Sequence, residues 1–220
     1  MGVGRSMIIS DGGTAALLAA AAAADRGARS AAQHPPAVLW PFDIGGDTRV
    51  PSHGAVGRQA ELFGLSEVAP AESPAIPAAP ARGPEALSCM LLRAGYAAAA
   101  AGAETVVWPV SAGPELDLAL TARAIDRALL TSRLVALDLG AAAPEFRTPY
   151  VDFTDAQVAD LVLDMDLPVW LCWWWEGGTS AAAAERDRWM TALRTAGGGA
   201  GGGPRAGDRD SAGPAVGEPD

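Results

Sequence analysis

Met7-Ile8-Ile9-Ser10-Asp11-Gly12-Gly13-Thr14 runs three large apolar residues into a polar turn with two glycines, and residues 15–24 that follow are all Ala or Leu. A short apolar run bounded by turn residues reads as a buried strand. The Ala/Leu stretch is strong helix former, with Thr14 placed to cap it and Gly27 to end it. Strand, glycine turn and helix together form the unit by which α/β proteins set backbone N–H groups and a positive helix end against an anion. The same turn is also the default tight connection, because glycine reaches backbone angles closed to other residues. The rest of the chain has to decide between the two.

Further elements alternate along the sequence. Ala37-Val38-Leu39-Trp40 reads as a second strand, continued by Pro41-Phe42-Asp43 into a Gly45-Gly46 turn. A helix is predicted over residues 56–64, and the proline-rich residues 69–83 read as an internal loop. Leu87, Met90, Leu91 and Ala94 have the i, i+3, i+4, i+7 spacing of a helix opened by Pro84. Residues 105–110 form a third predicted strand. The next helix is read with Leu118, Ala122, Ile125 and Leu129 toward the core, and residues 134–137 as a fourth strand. Thr154 and Gln157 make a capping box for a helix with Val158, Leu161, Val162 and Met165 inward. Residues 169–173 read as a last strand and 181–195 as a last helix. Residues 197–220 are dominated by Gly, Pro, Asp and Ala without periodicity, the composition of a disordered tail.

This alternation predicts one α/β domain over residues 1–196, with a mainly parallel, doubly wound sheet of Rossmann-like type. Ligands in such sheets lie at the carboxyl ends of the strands, where the turn at residues 10–14 falls.

Composition excludes several classes. All 16 basic residues are Arg, so neither a Walker-type phosphate lysine nor a Schiff-base lysine exists. A formal charge of −10 leaves no basic stripe for a nucleic-acid backbone. Asp11 and two glycines interrupt the apolar N-terminal stretch, which argues against a signal peptide, and no apolar run is long enough to span a membrane. With two distant cysteines, Cys89 and Cys172, no disulfide framework is legible, and a reducing, cytoplasmic location is expected.

Five segments in order resemble the PP-loop ATP pyrophosphatases, and among them 7-cyano-7-deazaguanine synthase. These are residues 10–15, Phe42-Asp43-Ile44-Gly45-Gly46, Pro80-Ala81-Arg82-Gly83, the stretch from Thr148 to Thr154, and Trp173 followed by Gly177-Gly178. The resemblance implies an adenine nucleotide alpha-hydrolase-like fold binding ATP and Mg²⁺. Its site would draw on Ser10, Asp11, Gly12, Gly13, Thr14, Asp43, Arg82 and Asp152. The family activates a carboxylate as its adenylate, releases pyrophosphate, and lets a nitrogen or sulfur nucleophile displace AMP.

Departures from the family pattern are specific. Aligned without a gap on SGGxDS, the loop here has Asp11 for a glycine, Thr14 for the acidic residue and Ala15 for the last serine. The family's four zinc cysteines correspond to the Trp173–Trp175 run and to Ser180, Ala183 and Arg186, so zinc is not expected. Two outcomes stay open: an adenylating enzyme of reduced activity, or a non-catalytic relative that binds a nucleotide or acts through a protein partner or a homo-oligomer. The tryptophan cluster at Trp170 and Trp173–Trp175 reads either as packing that replaces the zinc knuckle, the favoured reading, or as an apolar partner surface.

Overall fold

The computed structural model describes residues 5–29, 38–41, 49–67 and 84–199. In chain order the elements are β1 (Ser6–Ser10), α1 (Thr14–Arg29), β2 (Val38–Pro41), α2 (Arg49–Phe63), β3 (Ser66–Glu67) and α3 (Pro84–Ala100). They continue with β4 (Thr105–Val107), α4 (Leu118–Leu139), β5 (Glu145–Arg147), α5 (Asp155–Asp164), α6 (Trp173–Glu176) and α7 (Ser180–Gly199). The five strands form one sheet in the order β3-β2-β1-β4-β5, with every pairing parallel. The α/β, doubly wound reading therefore holds.

β1 is the central strand, and its side chains alternate between two cores as a strand's must. Ile8 and Val107 face one core, closed by Leu17 of α1, Val56 of α2, Val158 of α5, Trp174 of α6 and Trp189 of α7. Met7, Ile9 and Val106 face the other, closed by Met90 and Leu91 of α3 and by Ala124 and Ala128 of α4. Both faces of the sheet are thus covered, as a parallel sheet requires.

Five readings need correction. Residues 134–137 are not a strand but the last part of α4, which runs unbroken from its Asp117 cap to Gly140. A four-residue apolar run fits either period, and no Gly or Pro interrupts residues 118–139 to favour the strand. The strand at this place in the sheet is β5, three residues with a single partly buried Phe146 between exposed neighbours, too short to leave a pattern. The inward stripe of α4 is also shifted. Thr121, Ala124, Ala128, Thr131 and Val135 are buried, while Leu118, Ile125 and Leu129 are exposed. Small residues win because α3 lies close: a Cβ on Gly95 would come within 2.8 Å of Val135 Cγ2.

Residues 169–173 are not a strand either. A 3-10 turn over Val169–Leu171 leads into α6, and the Trp173 N–H donates to Gly12 O at 3.1 Å instead of joining a ladder. α1 passes through Gly27 to Arg29, and in α5 Leu163 and Met165 are exposed while Val158, Ala159 and Val162 are buried. The expectations for Asp43, Arg82 and the proline-rich residues 69–83 lie outside the described residues, and of the tail predicted over 197–220, residues 197–199 belong to α7 while the rest lie outside.

Candidate functional site

The order β3-β2-β1-β4-β5 reverses direction between β1 and β4, and the loops leaving their carboxyl ends must diverge there. A cleft of about 850 Å³ opens at that point. One wall is Ile9 with the turn after β1, including Asp11, Gly13 and Thr14. Facing it is the segment after β4, from Trp108 to Asp117, and α7 adds Glu185, Arg188 and Trp189.

The turn is held from three directions. Gly12 has φ +73°, a conformation that favours glycine, and its N–H donates to Ser10 Oγ at 3.1 Å. Its carbonyl accepts from Gln59 Nε2 of α2 at 3.1 Å and from Trp173 N–H. Thr14 begins α1, and its hydroxyl accepts from the Trp174 indole at 3.2 Å. Ser10, Gly12, Gly13 and Thr14 are all buried.

Asp11 completes the turn from within. Its Oδ1 accepts the Gly13 N–H at 2.8 Å, so the carboxylate folds back on the turn where a phosphate oxygen would be received. A Cβ added to Gly13 would meet that same oxygen at 2.9 Å. Burial pushes the Asp11 carboxyl above its ordinary value; the Gly13 N–H pulls it back down, Glu185 raises it and Arg188 lowers it. Because the net shift is upward, the folded state holds this proton more tightly than the unfolded chain. Ionised Asp11 therefore costs stability above the folded value, and the cost fades as pH falls toward the ordinary 3.8. Asp11→Asn keeps an acceptor for Gly13 and should raise Tm at neutral pH. The gain over wild type should vanish as pH approaches 3.8 in a thermal melt series. A gain that persists unchanged at low pH would sink this account.

On the opposite wall the segment after β4 is tied to the start of α5. Ala112 N–H donates to Phe153 O and Asp155 N–H to Gly113 O, each at 2.8 Å. Asp155, in the first turn of α5, binds Arg188 through two bonds of 2.6 Å. Arg188 also reaches Glu185 at 3.0 Å and lies over the Trp189 ring at 5.1 Å, while the Trp189 indole donates to Glu185 at 2.8 Å. Burial lowers the Arg188 guanidinium, but these carboxylates outweigh it and hold it above its ordinary value. Burial pushes the Cys172 thiol well above the thiol range, against a weaker downward pull from Thr14.

Of the expected site residues, Asp11, Gly13 and Thr14 line the cleft, and Ser10 and Gly12 lie buried in the same turn. Asp152 sits exposed in the turn before α5, outside the cleft lining. Sequence reasoning missed Asp155, Glu185, Arg188 and Trp189. The only available signal was a carboxylate directly after the Thr154 cap, and charge in a first helical turn is too common to single out. Where the zinc knuckle was compared, Arg186 instead donates to the carbonyls of Trp174, Trp175 and Gly177 at 2.6–3.2 Å. Among the described residues no group of three or more His, Cys, Asp or Glu is placed to hold a metal ion.

Chemically, the described lining carries four carboxylates (Asp11, Glu115, Asp117 and Glu185) and one guanidinium, Arg188, already paired. Asp117 is engaged as the cap of α4, accepting from the N–H groups of Ala119 and Leu120. Such a wall opposes a polyphosphate and leaves the apolar faces of Trp108, Val110 and Trp189 for contact.

No protein-family model matches the chain, and no curated protein matches it. Among solved structures it is similar to the U34-tRNA thiolase NcsA from Methanococcus maripaludis with its [4Fe-4S] cluster. The two share 11% identity and a TM-score of 0.50, over 88% of this chain and 70% of that one. The likeness is one of fold, the parallel, doubly wound α/β sheet described above.

Proposed function

We propose that this chain is a PP-loop-fold protein, derived from a 7-cyano-7-deazaguanine synthase-like ancestor, that no longer forms adenylates. The observation that carries the reading is the 2.8 Å bond from Gly13 N–H to the Asp11 carboxylate. The turn has supplied its own anion. A phosphate charge about 4 Å from that carboxylate meets roughly 4 kcal/mol of repulsion at an effective dielectric near 20. The Gly12 N–H is likewise engaged, by Ser10 Oγ. Four carboxylates around one paired arginine act in the same direction. The synthase-like ancestry is supported by the ordered sequence segments, of which the first, residues 10–15, contributes Asp11, Gly13, Thr14 and Ala15 to the cleft. Retained ATP binding, Mg²⁺ at the loop and a role in queuosine-type nucleotide metabolism all belong to the alternative, an enzyme still active.

The test is calorimetry with ATP and Mg²⁺, followed by a pyrophosphate-release assay with 7-carboxy-7-deazaguanine and ammonium. The expected result is weak or no ATP binding, no pyrophosphate, and binding improved by about tenfold or more in Asp11→Gly. Stoichiometric pyrophosphate and AMP from the wild-type protein would establish the active-enzyme reading instead.

A further inference from the structure

α4 presents its large side chains to the outside. Leu118, Ile125, Leu129, Leu130, Leu134 and Leu137 are exposed, Leu130 at 59% and Leu137 at 81%, whereas Leu120 lines the cleft. With about 100° per residue, Asp126, Leu130, Arg133 and Leu137 stand opposite the buried stripe of Thr121, Ala124, Ala128, Thr131 and Val135. An outward apolar helix face of this extent marks an interaction surface. We infer that α4 is the contact between two copies of this chain, which pack it antiparallel to itself across a two-fold axis.

The charges select this occupant. Asp126 and Arg133 are both exposed and lie seven positions apart on the outward stripe, with the midpoint between Leu129 and Leu130. An antiparallel pair centred there brings Asp126 level with the partner's Arg133, and Arg133 level with the partner's Asp126. The same register brings Leu137 level with the partner's Ala122 and sets the Leu129-Leu130 pair of each copy on the axis. An isologous contact needs this kind of self-complementarity. Segments of this chain outside the described residues suit the face poorly. As large apolar residues, 1–4 contain only Met1 and Val3, 42–48 only Phe42 and Ile44, 68–83 only Val68 and Ile76, 200–220 only Val216 and 30–37 none, and no segment repeats them at helical spacing. A 22-residue helix is about 33 Å long, so the pair falls at the small end of stable interfaces, and association near 1 µM is expected. This inference is independent of whether adenylation is lost.

The experiment is sedimentation velocity on the full chain from about 0.1 to 100 µM, spanning the expected constant. Wild type should approach twice the 22.3 kDa of one chain. Leu130→Asp should stay monomeric throughout with an unchanged circular dichroism spectrum. Asp126→Arg and Arg133→Asp should each weaken the dimer about tenfold or more, and together they should restore it to within about threefold of wild type. A monomeric wild type at the highest concentration overturns the proposal, whether another segment or another protein covers the helix. So does a dimer indifferent to Leu130→Asp, or a failure of the double charge reversal to restore association.

Discussion

Arg188→Ala is expected to lower the unfolding free energy by about 3–5 kcal/mol, because it strands a buried carboxylate. The Asp155 side chain is 3% exposed and takes both of its short bonds, 2.6 Å each, from Arg188. Once the guanidinium is gone, its remaining side-chain partner is Ser111 Oγ at 3.4 Å. The start of α5 offers partial compensation through its N-terminal N–H groups. That keeps the effect below the cost of an isolated buried charge, and at about 2–4 °C per kcal/mol it still amounts to roughly 10 °C in Tm. Urea or thermal unfolding measures it. Two controls make the interpretation specific. Arg188→Lys, which keeps the charge but not the fork, should recover only part of the loss. Arg188→Met combined with Asp155→Leu should be less destabilised than Arg188→Ala alone, because no buried charge then remains unpaired. A loss below about 1 kcal/mol for Arg188→Ala would show that solvent reaches Asp155 readily.

Trp174→Ala should cost a similar amount, about 3–5 kcal/mol, through a different mechanism. Trp174 is fully buried between α1, α2 and α7, and its indole N–H is the donor that engages the Thr14 hydroxyl. Alanine removes the largest fully buried side chain and leaves a cavity that the short α6 is poorly placed to fill. Trp174→Phe should separate the two contributions, retaining most of the volume while losing the hydrogen bond. The internal comparison is Trp170→Ala. Trp170 lies four positions earlier in the same cluster but is 58% exposed, so its loss should stay within about 0.5 kcal/mol. If the two alanine variants unfold at the same denaturant concentration, the packing described around Trp174 is wrong.

The layered α/β architecture was legible because α3 and α5 carry helical spacing and the first strands are short apolar runs bounded by turn residues. Met7-Ile8-Ile9 and Val38-Leu39-Trp40 are dense apolar runs with turn residues beside them, and both are strands. β3 and β5 have two and three residues and draw their place from neighbours in the sheet, not from their own pattern. On α4 the periodicity was present, but its sign was ambiguous. Leucines and small residues repeat with the same spacing, and only the close approach of Gly95 decides that the small ones turn inward. The tryptophan run was legible in half: Trp173 and Trp174 pack as expected, whereas Trp170 and Trp175 stay exposed.

The candidate site divides along the same line. Its turn is contiguous in sequence and readable as a unit. The pairing of Asp155 with Arg188 joins residues 33 positions apart on separate helices, and nothing local announces it. Asp11 shows a further limit. Its identity revealed a departure from the family pattern, but only the backbone geometry reveals that the carboxylate closes onto the Gly13 N–H.

The bond between Trp174 and Thr14 spans 160 positions, and the Gly12 carbonyl is engaged by the same late segment. During synthesis at roughly 5–20 residues per second, the turn after β1 therefore waits on the order of ten to thirty seconds for the residues that fix it. β1, α1 and β2 emerge early and can associate, but the loop between them acquires its final shape only as the last two helices arrive. Contacts of such sequence separation also slow refolding of the complete chain, since the loop-closure entropy must be met before they form. The N-terminal turn is thus the first part of the site to be made and the last to be finished.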